Sequence, residues 1–329
     1  MFLYEFITSD RVHRTLVDCG FDLEHPRADW ENQLPNGLTP ADIDCMVITH
    51  PHGDHCGRAP RLRKLGFRGK IYVTHAGADI MKILWVDSAR LQEQEANRIN
   101  AAKIRAHKAR IAAAEAPEGE PVPHSLPQGK PISKRSKSRQ INGRRRIHNA
   151  PKMVEPLYTQ VDAVDTFGLI KGVDFDERFE LAPGVFITFL YAGHILGAGM
   201  VLLEAGWNGE KRTTLFVGNV GRQKAPLLRE IARIYRVDYI VSEATYGDDL
   251  HPVEDDLPVL GDILTKGLLR ASVAHPKWGY GVIVIPVFSI DRGQVLLYRI
   301  KRLKEMGIIP ADTPVYVDSP MFIAVTEVY

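Results

Sequence analysis

The sequence predicts an α/β or layered α+β fold, because short apolar, strand-like runs alternate with helical patterns along most of its length. Size is a second observation: 329 residues exceed one ordinary core and imply two domains, or one domain with a large insertion. A third is the change of rhythm after Glu243, where strand and helix patterns recur about every 20 residues, as in a Rossmann-like βαβ layer.

The candidate strands of the first half are 15-TLVDC-19, 43-IDCMVIT-49, 70-KIYVTH-75, 185-VFITFLYAG-193, 200-MVLLEA-205 and 213-TTLFVG-218. Each is a short β-branched or aromatic run bounded by turn residues. Helical patterns follow around 58–66, 77–87 and 225–235. Residues 88–116, rich in Ala, Glu, Lys and Arg, predict one long polar helix that Pro117 ends. After Glu243 come a helix near 257–272, the run 281-GVIVIPVFSI-290, a helix at 292–306 and the strand 314-PVYVDS-319.

Between Glu120 and Glu155 there are nine basic residues and no acid: Lys130, Lys134, Arg135, Lys137, Arg139, Arg144, Arg145, Arg146 and Lys152. The segment reads either as a solvated loop or as a flexible arm that neutralises phosphates. The net charge of +2 gives no global polyelectrolyte signal, so nucleic-acid affinity must come from such local patches. Cys19, Cys45 and Cys56 form no CxxC and no even framework, which suits a reducing compartment. The N-terminal MFLYEFITSDRVHR has no apolar core of signal-peptide length, and no window reaches the roughly 18 apolar residues of a membrane span. The expected location is the cytoplasm.

The chemistry concentrates in 48-ITHPHGDHCG-57. His50 and His52 lie two apart after a strand, where an extended backbone turns both imidazoles to one side. Gly53 permits a sharp turn, so that Asp54 and His55 can point back to the same hollow. Neutral imidazoles and a carboxylate are zinc ligands, and the count fits two neighbouring sites, His50 with His52 and Asp54 with His55. A further ligand must come from another strand end. His194, between glycines in 192-AGHILGAG-199, is the candidate.

These residues carry a family resemblance. RTLVDCGF, ITHPHGDHCG, 87-DSARLQEQEA-96, AGHILGAG, 216-FVGNVGR-222, SEATYG at 242–247, PVFSIDRGQVLLY at 286–298 and VYVDSPM at 315–321 occur in the order of a metallo-β-lactamase-fold nuclease of the β-CASP group. The AGHILGAG block resembles the RNA-processing branch, whose motif commonly reads GHILG. The resemblance implies an αββα metallo-β-lactamase sandwich over residues 1–245, with a helical and basic insertion at about 88–155. It implies the start of an inserted Rossmann-like β-CASP domain over 246–329. It assigns His50, His52 and His194 to one zinc, and Asp54 and His55 to a second. Asp54 and Glu243 are its candidate catalytic acids, Glu243 supporting proton transfer. Arg292, with Lys134, Arg135, Lys137, Arg139, Arg144, Arg145 and Arg146, would contact RNA. Single-stranded RNA is the expected partner, with DNA as the alternative polymer, no membrane, and a homodimer among the expected assemblies.

Three departures from the family pattern bear on the site. Asn219 stands where the family supplies a metal-bridging aspartate, and a neutral amide would hold the second zinc more weakly. The family commonly has Gly where Asp291 stands. The family's later histidine motifs would lie beyond Tyr329, so the resemblance implies a C-terminally truncated chain with one firm zinc and impaired ribonuclease activity. A non-catalytic RNA-binding subunit and a small-molecule metallo-hydrolase are the competing readings.

Overall fold

A computed structural model describes residues 1–7, 11–21, 34, 37–115, 150–207, 210–222, 224–245, 247–249, 256–274 and 282–329. The chain divides into two compact units, Met1–Asp87 with Gln160–Tyr329, and Ser88–Thr159. The strands of the first unit form two five-stranded sheets. One has the order β1 (Phe2–Ile7), β2 (Val12–Val17), β3 (Cys45–Val47), β4 (Lys70–Thr74) and β5 (Ile170–Val173). β1 and β2 form an antiparallel pair, and the remaining pairings are parallel. The second sheet joins β6 (Arg178–Ala182), β7 (Val185–Tyr191), β8 (Gly199–Trp207) and β9 (Glu210–Phe216) as an antiparallel meander, with β10 (Tyr239–Val241) added in parallel to β9.

Alternation explains how the sheets meet, because every second side chain of a strand points to one face. Phe6, Val17, Val47 and Val173 of the first sheet pack with Val185, Ile187, Phe189, Val201, Leu203 and Phe216 of the second in one buried cluster. Tyr4 crosses from one sheet to the other, with its ring edge-on to Phe216 at 6.0 Å and its hydroxyl 3.2 Å from Thr214 Oγ1. The β3 strand is buried along its length, as a parallel central strand must be. The chain therefore leaves it at residue 48 directly into a loop beside the sheets.

Two short helices follow β3, α1 (Gly53–Cys56) and α2 (Ala59–Lys64). The helix α3 (His75–Glu115) is continuous through both patterns read from sequence, since neither Gly nor Pro interrupts it between Gly77 and Pro117. Within the second unit, Asn100 exchanges two hydrogen bonds with the backbone of Val154, and Gln92 Oε1 accepts from Leu157 N at 3.0 Å. The later helices are α4 (Gln160–Thr166), α5 (Asp256–Ala274), α6 (Arg292–Glu305) and α7 (Pro320–Val328). No helix among the described residues is long and apolar enough to cross a membrane.

Two local expectations fail. Residues 225–235 form no helix: Leu227 takes a positive φ of 68°, and Ala232 N donates to Tyr191 O at 2.8 Å. Tertiary hydrogen bonding to the end of β7 there outweighs a modest helical propensity. The described residues of 281–290, and 314–319, make no strand. A parallel strand needs neighbours on its edges, and Val284 and Tyr316 instead stand 82% and 88% exposed.

The loop 192–199 that carries His194 is fixed by close backbone approach. Thr74 Oγ1 donates to Gly197 O at 2.6 Å, and Gly199 N donates to Thr49 O at 2.8 Å. Gly197 has φ +78°, and a Cβ there would lie 2.3 Å from Gly77 N. A Gly197→Ala substitution should therefore cost about 3 kcal/mol or more, from strain plus backbone overlap. Urea unfolding measures it; a loss below about 1 kcal/mol would show that the loop relaxes freely.

Candidate metal centre

His50 lies three residues beyond β3 and is 1% exposed, while His52 is the N-cap of α1 with extended φ −74° and ψ 151°. His194 comes from the loop between β7 and β8, 142 residues from His52 in sequence. The three rings stand edge to face, with centroids 4.9 to 5.1 Å apart. His50 Nε2 lies 3.1 Å from His52 Nδ1, and His194 Nε2 lies 3.3 Å from the same atom. One ring nitrogen from each falls within 4.8 Å of the others. Two nitrogens on one tetrahedral zinc, each about 2.0–2.1 Å from it, stand about 3.3 Å apart, so the donor set fits that ion.

Electrostatics favours the ligand form of all three rings. Burial pushes His50 well below the ordinary histidine range, and the neighbouring imidazoles His55, His52 and His194 add to it. Burial also lowers His52 against the attraction of Asp54. His194 falls to about 4 through burial and His52, with Glu243 opposing and Arg292 assisting. Neutral imidazoles therefore meet at neutral pH with lone pairs available.

Behind them lies a carboxylate that the motif reading passed over. Asp18 is 5% exposed and sits at φ 57°, just after β2. It accepts from Thr49 N at 2.8 Å, and from Thr49 Oγ1 at 3.0 and 2.9 Å. His55 Nδ1 lies 2.8 Å from Asp18 Oδ2, and Thr49 Oγ1 is 3.1 Å from His50 Nδ1. Burial works against the charged form of His55, but the hydrogen bond and charge of Asp18, with Asp54, outweigh it and raise its pKa. The available signal was VDCG: a polar residue at a strand end, then Gly20, where a Cβ would lie 1.4 Å from Asp54 O. That close approach lets Cys19 N donate to His55 O and Phe21 N to Gly53 O, clasping α1.

The other sequence candidates distribute unevenly. Asp54 lies beside His55, its Oδ2 3.5 Å from Nε2, and neither joins the three-histidine group. Asn219 is half-buried on the loop after β9. That loop passes the centre closely: a Cβ on Gly218 would meet Thr49 Oγ1 at 2.7 Å, and one on Gly221 would meet Gly193 O at 1.6 Å. Glu243 Oε1 accepts from Val220 N at 3.1 Å, which places it behind the same loop, and its charge is felt at His194. The positive charge of Arg292 reaches both His52 and His194. Lys134, Arg135, Lys137, Arg139, Arg144, Arg145 and Arg146 lie outside the described residues.

Comparison with known proteins agrees with this layout. Residues 7–136 match the Metallo-beta-lactamase superfamily. The chain is 24% identical over 317 residues to "Ribonuclease TTHA0252" of Thermus thermophilus, covering 96% of this chain and 55% of that protein. It is 27% identical over 310 residues to "Transcription termination factor FttA" of Methanothermobacter thermautotrophicus, covering 93% and 38%. Against "Endoribonuclease YSH1" of Gibberella zeae it is 26% identical over 289 residues, covering 86% and 26%. The chain thus spans about half, or less, of the length of these relatives. The match and the two face-packed sheets make this an α/β metallo-β-lactamase fold.

Two outcomes follow from the geometry. Asp18→Ala leaves buried Thr49 and His55 groups without their acceptor, and should lower metal affinity by about 10- to 100-fold while destabilising the fold. Chelator competition reads the first and urea unfolding the second; unchanged affinity would remove Asp18 from the centre. For the metal-free chain, the lowered pKa of His194 means that the unfolded state binds more protons between about 6.5 and about 4. Stability from this group is therefore fully present above about 6.5 and lost as pH falls through that window. Urea midpoints across pH 4–7 should decline towards acid less steeply in His194→Ala.

Proposed function

We propose that this chain, a metallo-β-lactamase fold with three converging histidines, is the metal-binding part of a zinc-dependent ribonuclease of the β-CASP type. The convergence of His50, His52 and His194 from two distant segments carries the reading. The names of the relatives support RNA as the substrate class, and the ordered blocks up to VYVDSPM support the β-CASP type over a small-molecule hydrolase. In this reading residues 246–329 belong to the second, β-CASP part, and the basic residues between Glu120 and Glu155 contact RNA.

Zinc bound by the imidazoles supplies a water of lowered pKa and a Lewis-acid contact to a phosphoryl oxygen. The chain's own groups do the rest. Asp18 and Thr49 hold His50 and His55 in orientation through buried hydrogen bonds. Arg292, at the first turn of α6, offers positive charge to a phosphate beside His52 and His194. Glu243, positioned by Val220 N–H, supports proton transfer to the leaving 3′ oxygen. Asp54 and His55, with Asn219, offer a second and weaker metal position, because a neutral amide replaces a carboxylate.

Low cleavage activity is the expected consequence, and Asn219 equally favours a second reading, an RNA-binding subunit that does not cleave. Labelled single-stranded RNA and DNA, incubated with zinc-loaded protein and with chelator, separate them. The proposal expects slow, chelator-sensitive cleavage of RNA, with Asn219→Asp raising the rate by about tenfold or more. Tight RNA binding with no cleavage in either form would establish the non-catalytic reading. Preference for DNA, or hydrolysis confined to small esters, would contradict both.

A further inference from the structure

From the contacts around the His194 loop, we infer that Asp291 and Tyr329 are positioning residues for His194, tying α6 and α7 to the metal centre; the inference rests on the metal reading above. Asp291 is the N-cap residue of α6, yet its side chain makes no capping bond. It takes φ 66° and ψ −62°, a positive-φ conformation that favours glycine, and it is 6% exposed. A buried carboxylate in a strained backbone, unused by its own helix, needs another task.

That task is visible in its contact with Tyr329. Tyr329 Oη donates to Asp291 Oδ1 at 3.3 Å and accepts from Leu196 N at 3.2 Å. Leu196 is two residues from His194, in a loop otherwise closed by Ala198 N to Ile195 O at 3.0 Å and Ala192 N to Ala198 O at 3.3 Å. The carboxylate, facing the charges of Arg292 and Arg222, orients the phenol so that its oxygen lone pairs face the loop. Apolar packing follows the same path: Ala192, Ile195 and Ala198 share one buried cluster with Ile290 and Val325, and Leu196, Met321, Val328 and Tyr329 pack against it.

The far side of the link is stiff. Gln294 Nε2 donates to Thr326 Oγ1 at 2.9 Å, joining α6 to α7. A Cβ on Gly293 would meet the Phe322 ring at 1.6 Å, so the two helices touch closely there. Ser319 caps α7 through Phe322 N at 3.2 Å. Movement of α7 therefore reaches the His194 loop through the Tyr329 phenol and the apolar contacts around Val325.

The test compares wild type with Tyr329→Phe, Asp291→Gly and Asp291→Asn in zinc affinity by chelator competition, hydrogen exchange of residues 192–199, and melting temperature. Tyr329→Phe and Asp291→Gly should each weaken zinc binding by about tenfold and speed exchange at Leu196. Asp291→Asn keeps an acceptor oxygen and should restore most of both. Asp291→Gly relieves the backbone strain, so its melting temperature should hold or rise while its zinc affinity falls, which a merely structural role would not produce. Unchanged exchange and affinity in Tyr329→Phe and Asp291→Gly would overturn the inference, as would an affinity loss that simply tracks melting temperature. Wild-type protein that binds no zinc would overturn the metal reading instead, and exchange at Leu196 would still decide whether the link exists.

Discussion

The Asp18 carboxylate, buried at the end of β2, is the constraint on which the centre depends. It accepts two groups of Thr49 and faces His55 Nδ1, while Thr49 Oγ1 reaches His50 Nδ1. A buried charge is costly unless its lone pairs are used, and here one carboxylate is satisfied by the same groups that line the site. Fixing Nδ1 of His50 and His55 turns the opposite ring nitrogen of each outward. His52 and His194 are placed by the backbone that carries them.

Placement by backbone explains the glycines. Gly20 lets the loop after β2 lie against Asp54, Gly197 lets the His194 loop lie against Gly77, and Gly221 lets the loop after β9 lie against Gly193. Each contact is closer than any Cβ would allow, so three loops from different strand ends crowd into one hollow at the edge of the sandwich. The apolar layer between the sheets, centred on Val47, Ile187 and Phe189, holds those strand ends in register. Chemistry and fold therefore share a boundary: β3 is wholly buried, and the metal motif begins just beyond its last residue.

Much of this was legible in the sequence, for local reasons. The alternating runs of β7 and β8 and the HxHxDH cluster announce themselves within ten residues, because strand periodicity and ligand spacing are short-range properties. His194 was readable only as a histidine among glycines. Asp18 looked like an ordinary strand-end residue, since its value lies in Thr49 and His55, more than thirty positions away. Residues 225–235 carried a helical pattern that bonding to Tyr191 overrode, and the apolar runs after Gly281 lacked the neighbours that would make them strands. The tie between Asp291 and Tyr329 gave no local sign, because it joins residues 38 apart in sequence.

The centre is thus asymmetric. Three neutral imidazoles converge on one point, while Asp54 and His55 lie next to them in the chain without joining that group. Native mass spectrometry of the zinc-loaded chain, titrated with chelator, tests this most directly. One zinc should remain after a second, weaker equivalent is stripped, and His194→Ala should lose the retained ion. Two zincs held with equal tenacity, or a retained zinc in His194→Ala, would contradict the asymmetry.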